Sequence, residues 1–462
     1  MGKTIEKLKN NKFVKTCSNI WKIEDLRQRL LMTIMFVIVY RFGAHVVLPG
    51  VNPNPNQLSG LADQTESGLM SLLDMFSGGA FSQASVFALG IMPYISASIV
   101  MQLLGIAVPY FQKMQREGES GRRKMNQYTR YLTVAILLFQ APSYLINLVT
   151  LNARGGVSLY PFVIEHQMMF FITSTIILAA GSMFILWLGE RITDKGIGNG
   201  ISLIIMIGII ARFPNAIYQE MFTRMGGQGG LIIFLAEIVA LLIVIAAAIL
   251  LVQGVRRVPV QYAKKVVGNR QMGGARQYIP LKPYAANVMP IIFAQAIMFI
   301  PITIIGYAAG NSQSDLMLKL SDNTSAIYNV VFAVLIIVFT YLYTAITINS
   351  TQMAEDMKRN NGFIPGIKPG KSTADFLDKI MDRITFPGSL FLALIAVMPA
   401  FASLFGVQRE FAQFFGGTSL LILVGVVLDT LQQIESHLLM RHYDGLLDSG
   451  RVRGAHSNTG VY

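Results

Sequence analysis

The sequence predicts an all-α membrane protein of ten spanning helices, and three observations carry that prediction. Of 462 residues, 53% are hydrophobic and only 14% charged, against about a quarter charged in ordinary soluble domains. Apolar runs near the length a bilayer requires, about 20 residues, recur at 30–49, 81–105, 131–151, 167–188, 201–218, 231–253, 286–308, 328–349, 386–405 and 418–438. Basic residues sit almost wholly on one side of the membrane that those runs define. The N-terminal segment, the loops after even-numbered spans and the C-terminal tail hold 32 of the 38 Lys and Arg. The opposite loops hold Arg154, Arg224, Lys319 and Arg409, and Arg41 and Arg212 lie within or beside spans. Cytoplasmic loops collect positive charge, so both termini are expected in the cytoplasm. A miscounted span would have scrambled this asymmetry.

Along the chain, residues 1–29 are basic and weakly apolar, with no h-region and no small-residue cleavage site. They read as a cytoplasmic amphipathic segment rather than a cleaved signal peptide. The lone Cys17 excludes an internal disulfide framework and a cysteine metal cluster. The second span begins with small residues from Gly78 to Ser85 and carries Pro93. Small residues allow close backbone approach and proline removes a helical hydrogen bond. Such a segment is expected as a kinked helix lining a path, because broken helices in lipid need protein or water beside them. The fifth span is the weakest, its apolar stretch ending near Ala211 before Arg212 and Pro214. Loop 254–285 has seven basic residues and no acidic one, while loop 350–385 mixes six basic with five acidic. A tail, 439–462, closes the chain.

Several stretches then carry a resemblance. FALGIMPYISASIVMQ (87–102), EGESGRRKMNQYTRY (117–131), WLGERITDKGIGNGIS (187–202), RRVPVQYAKK (256–265), FIPGIKPGKST (363–373) and FGGTSLLI (415–422) resemble, in order and spacing, the SecY/Sec61-alpha family of protein-conducting channels. The resemblance implies two pseudo-symmetric five-helix halves around a central pore, here 30–218 and 219–438, hinged between spans 5 and 6. No strong sequence repeat between the halves is visible, so the symmetry comes from the resemblance.

The resemblance also assigns sites. It places Ile91, Ile95, Ile201, Ile205, Ile292 and Ile422 at the pore ring. Stiff β-branched side chains suit a hydrophobic constriction that excludes water and ions. The pairs 91/95 and 201/205 are each i, i+4 and share a helix face. Without the alignment, any isoleucine here reads equally as lipid-facing or packed core. Residues 62–78, centred on the amphipathic ESGLMSLLDMF before a glycine pair, match the plug that seals the closed channel; the plain alternative is an external surface helix. A lateral gate between spans 2–3 and 7–8 would use Ser96, Gln102, Gln140 and Gln295, and Pro290 and Pro301 would let span 7 bend. Routine interhelical hydrogen bonding is the alternative.

Arg256, Arg257, Lys264 and Lys265 fall in the family's docking loop for the ribosome or the motor ATPase SecA. Their chemistry suits RNA phosphates and acidic protein surfaces. Topology alone explains some positive charge but not a 32-residue loop without a carboxylate. Lys368 stands where the family commonly has arginine; it keeps the charge and loses the bidentate fork. The implied partners are the small subunits SecE and SecG, SecA, the ribosome, unfolded polypeptides bearing signal sequences, and membrane lipid, in a bacterial inner membrane. Of the intramembrane charges Arg41, Glu237 and Asp429, pairing or snorkelling near helix ends is expected rather than proton coupling. GIGNGIS (196–202) lacks the lysine of a phosphate loop and reads as a turn and helix start. No catalytic, metal or cofactor motif is found, so an enzyme is not expected. A ten-helix secondary transporter of a small solute is the rival reading, disfavoured by the aliphatic ring and the large cytoplasmic loops.

Overall fold

The computed structural model describes residues 23–54, 58, 60–61, 74–153, 156–226, 230–262, 265–267, 270–272, 276–283, 288–295, 297–298 and 325–448. Its long helices are α1 (Glu24–Ala44), α2 (Met92–Ala107), α4 (Glu119–Ala153), α5 (Gln167–Lys195), α6 (Gly200–Met225), α7 (Gly230–Gln253), α8 (Ala326–Thr347), α10 (Lys371–Leu404) and α11 (Gly417–Asp448). Two shorter helices are α3 (Pro109–Arg116) and α9 (Ser350–Arg359). Seven described helices are long and apolar enough to cross a membrane, and α2 with α3, bent by 100° at their junction, would make an eighth. Five charged residues keep α1 outside that set. Of the seventh expected span only 288–295 and 297–298 are described, helical from 289.

The helices expose many large apolar side chains and turn several charged ones inward. On α7, Glu237 is 8% exposed while Ile232 and Leu250 are 82% and 74% exposed. Ionisable residues in lipid turn inward and pair, and the apolar surface meets hydrocarbon. Helices α1, α2, α4, α5 and α6 pack as one group, and α7, α8, α10 and α11 as another; α6 joins them by touching both α7 and α11. One core fills the first group around Leu137, Leu145 and Leu178. A second fills the other group around Ile291, Ile336 and Leu421. A third, including Ile205 and Phe411, lies where the groups meet.

Three expectations are corrected here. Residues 78–91 form turns rather than a helix, and Pro93 lies in the first turn of α2 instead of kinking it. Proline is tolerated at a helix start because the missing N–H would be unpaired there anyway. The irregular backbone is permitted because Phe81, Ala84, Ala88 and Ile91 are buried in protein. The weak fifth span is instead a continuous helix of 26 residues through Arg212 and Pro214. It therefore crosses the expected boundary between halves at 218/219 and ends at Met225. Finally, loop 254–285 holds strands: β1 (Arg256–Tyr262), β2 (Lys265–Val267), β3 (Arg270–Met272) and β4 (Arg276–Leu281).

GIGNGIS is a turn and helix start, as expected. Asn199 caps α6, its side chain accepting from the Ile201 N–H at 3.2 Å, the usual role of asparagine at this position. Gly200 then lets α6 touch α5, since a Cβ there would collide with the Gly189 carbonyl oxygen. Gly200→Ala is expected to lower stability by about 1–3 kcal/mol, the usual cost of overpacking. Thermal unfolding in detergent would show it.

Candidate functional site

At the junction of the two groups, the chain builds a core of buried aliphatic and aromatic side chains. Ile91 precedes α2 and Ile95 follows one turn later, its N–H donating to the Ile91 carbonyl at 3.1 Å. Ile205 reaches the same core from α6 and Ile422 from α11; all four are at most 9% exposed. Ile201 packs against this core while half-buried, with its Cγ1 3.0 Å from where a Gly189 Cβ would stand. The structure thus brings five of the six isoleucines together. Ile292 stays half-buried on the short helical stretch, where its neighbours Ile291 and Ala294 pack into the second group's core. Sequence reasoning missed the aromatic partners, of which Tyr40, Phe411 and Phe415 are buried in the same cluster.

The end of the 62–78 segment closes this core. Residues 62–73 lie outside the described residues, but Asp74, Met75, Phe76 and Ser77 are helical and buried. Met75 and Phe76 join the isoleucine core. Gly78 follows with φ 68°, a left-handed conformation that favours glycine. Its backbone lies directly on Gly208 of α6: a Cβ on Gly78 would stand 2.8 Å from the Gly208 Cα. The Ser77 carbonyl accepts from Tyr40 Oη at 3.1 Å and the Gly78 carbonyl from Arg41 Nη1 at 3.1 Å.

Two arginines and four carboxylates beside the core pair with one another. Asp74 meets Arg212 at 2.6 Å, and Arg212 also lies 3.8 Å from Glu410. Arg224 binds Glu220 at 2.8 Å and Glu237 at 2.6 Å, and donates to the Gly406 carbonyl at 2.8 Å. Glu220 accepts in turn from the Gln408 N–H at 2.9 Å. Glu237 thus pairs with Arg224, Arg41 meets the Gly78 carbonyl and lies 3.5 Å from His45 Nε2, and Asp429 is exposed on α11. Arg224, counted from sequence as a loop charge, is instead buried at the end of α6. A signal was present: Glu220 and Arg224 are i, i+4, the spacing of a helical ion pair.

The seam between α2 and α8 holds one of the four expected gate residues. Tyr343 Oη donates to Gln102 Oε1 at 3.1 Å, and Tyr343 also lies 6.4 Å, centroid to centroid, from Phe293. Ser96, Gln140 and Gln295 are half-buried and make no side-chain hydrogen bond among the described residues. Pro290 is buried in the short helical stretch, and Pro301 lies outside the described residues. Tyr343→Phe removes the seam bond, worth about 0.6 kcal/mol in membrane proteins. It is expected to open the α2–α8 seam roughly threefold more often, read by disulfide trapping of paired cysteines across it.

The basic loops form a platform. β1 pairs antiparallel with β4 and, through Gln261 and Tyr262, with β5 (Gly362–Phe363), so one sheet ties loops 254–285 and 350–385 together. Val258 and Val260 point into a core with Leu281, Met357, Ile364 and Leu377, and Arg256 and Arg257 are exposed. The alternation from Arg257 to Gln261 was the overlooked strand signal. Lys368 is exposed in the turn before α10, where its carbonyl accepts from Thr373 Oγ1 at 2.9 Å. Arg256, Arg257 and Lys368 have no ion-pair partner among the described residues. Lys264 lies outside the described residues, and Lys265 is placed by its backbone at the start of β2.

The fold is a helical membrane bundle of two groups that meet on a shared apolar core, with exposed arginines on a small sheet formed by two of its loops. The SecY family model matches residues 85–431. The chain is 43% identical over 432 residues to a protein translocase subunit SecY from Streptomyces galbus, covering 92% of this chain and 98% of that one. It is also 43% identical over 437 residues to the protein translocase subunit SecY of Mycobacterium tuberculosis, covering 92% and 97%. The chain belongs to the SecY family. Among solved structures it resembles a protein-conducting channel (TM-score 0.57, 17% identity, 89% of this chain and 92% of that one). It is similarly like a SecY protein studied for how its plug domain stabilises the closed channel (TM-score 0.58, 18% identity, 89% and 92%). A third likeness is to Sec61 in the canine ribosome–channel complex (TM-score 0.52, 16% identity, 89% and 92%).

Proposed function

We propose that this chain is the channel subunit of a bacterial protein translocase, passing unfolded secretory chains across the cytoplasmic membrane and releasing apolar segments sideways into lipid. The observation that carries the reading is the junction core. Five isoleucines, from the start of α2 and from α6 and α11, lie in or against one apolar core between two helical groups, in a chain of the SecY family. A hydrophobic seal stops water and ions, yet side chains without fixed hydrogen bonds can part around any sequence. That is the requirement for a conduit of varied polypeptides, and it fits poorly with a solute transporter, which needs a polar midplane site.

In this reading the chain has ten spans in two five-helix halves, with both termini in the cytoplasm and 62–78 as the plug. Ile292 is the sixth member of the ring, and Ser96, Gln102, Gln140 and Gln295 line the lateral gate. Arg256, Arg257, Lys264, Lys265 and Lys368 dock the ribosome or SecA, and SecE and SecG complete the complex. The 32-to-4 charge asymmetry supports the orientation, and the exposed, unpaired arginines of β1 support the docking surface. The chain has no chemical step of its own in this scheme; SecA or the ribosome supplies the driving force. Proteoliposomes holding this chain with SecE and SecG, given SecA and ATP, should bring a signal-bearing precursor into a protease-protected space. Protection that is absent, or that ignores deletion of the signal sequence, would contradict the proposal.

A further inference from the structure

Arg212 stands between two carboxylates that belong to different parts of the channel. Asp74, at the end of the segment proposed as the plug, is fully buried and reaches Arg212 Nη1 at 2.6 Å. Its other oxygen accepts from the Ser82 N–H at 2.8 Å, which fixes the carboxylate across the Gly78–Gly79 turn. Glu410, on the outer segment before α11, lies 3.8 Å from Arg212 Nη2 and is 40% exposed at its side chain. Arg212 is one helical turn beyond Gly208, the residue on which Gly78 rests, so both contacts lie on one face of α6. A cavity of about 540 Å³ adjoins the site, lined by Met75, Arg212, Gln408 and Glu410 among others.

From this geometry we propose that Arg212 is a two-position latch, held by Asp74 in the closed channel and passed to Glu410 when the plug leaves. The proposal rests on the plug reading above. An arginine deprived of its partner in a partly buried place is costly, so release of Asp74 alone would be strongly opposed. Glu410 already lies near the second nitrogen of the same guanidinium and lowers that cost, and the adjoining cavity gives the side chain room to turn. The two carboxylates therefore act in opposite senses: Asp74 favours the closed plug and Glu410 favours its release.

The test measures two quantities in proteoliposomes of the full complex: resting ion conductance, and translocation of a precursor with a weakened signal sequence. Asp74→Asn and Arg212→Gln are expected to raise both severalfold. Glu410→Gln, a near-isosteric change at a partly exposed position, is expected to lower translocation of the weakened precursor severalfold. It should have no effect once Arg212 is Gln. A Glu410→Gln effect in the same direction as Asp74→Asn, or one that persists in the Arg212→Gln background, would overturn the latch. Translocation of an intact precursor by the unmodified chain is the control; its failure would count against the channel reading itself.

Discussion

Placing asparagine at Ile95 and Ile205 together is expected to make the resting channel leak ions at least tenfold faster, without loss of the folded bundle. Both side chains are at most 9% exposed and meet in the core that joins α2 to α6. Their barrier to ions is a barrier to water, because nothing in the isoleucine surface can replace a hydration shell. Two carboxamides in this core can hydrogen-bond water where isoleucine cannot. Lowering the hydration barrier by about 1.4 kcal/mol already gives a tenfold rise in rate. The same pair of substitutions is expected to lower thermal stability by a few kcal/mol, the cost of replacing buried apolar side chains with carboxamides. Conductance in planar bilayers measures the first effect and unfolding in detergent the second. Unchanged conductance would mean that the seal lies elsewhere.

Replacing Arg224 by methionine is expected to produce the largest loss of stability. The guanidinium is 6% exposed and sits against Glu220 and Glu237, themselves 0% and 9% exposed at their side chains. Without it, two buried carboxylates face each other with no counter-charge. Breaking a buried pair by removing one partner costs about 3–5 kcal/mol, and here one arginine serves two partners and the Gly406 carbonyl as well. The same knot ties the end of α6 to α7 and to the 405–408 turn beyond α10, so the loss should also loosen the contact between the two helical groups. Combining Arg224→Met with Glu220→Gln and Glu237→Gln removes the uncompensated charge and should recover most of the stability. A triple variant no more stable than Arg224→Met would show that the arginine's packing, not its charge, matters.

Much of this architecture is legible in the residues, and the parts that are not share a cause. Helices α4, α5, α7, α8, α10 and α11 follow from long apolar runs, since a membrane demands length and hydrophobicity from each helix separately. Residues 81–91 are just as apolar, but they are buried in protein rather than lipid, and there irregular backbone is permitted; hydropathy does not distinguish the two surroundings. Arg212 and Arg224 look like helix-ending charges because their partners, Asp74 and Glu237, lie 138 and 13 positions away in sequence. The isoleucine core was reached through family resemblance, because an inward isoleucine and a lipid-facing one have the same composition. The strand β1 was hidden by reading its loop for charge alone, although Val258 and Val260 alternate with Arg257, Pro259 and Gln261.

The central claim, that polypeptide passes through the isoleucine core, is tested most directly by site-specific photocrosslinking to a stalled secretory precursor in membranes. Probes would replace Ile205 and Ile422 in the core and Leu250, which is 74% exposed on the outer face of α7. Signal-dependent crosslinks from Ile205 and Ile422, with none from Leu250, are the predicted result. An assembled complex that gives no crosslink at either core position would contradict the account.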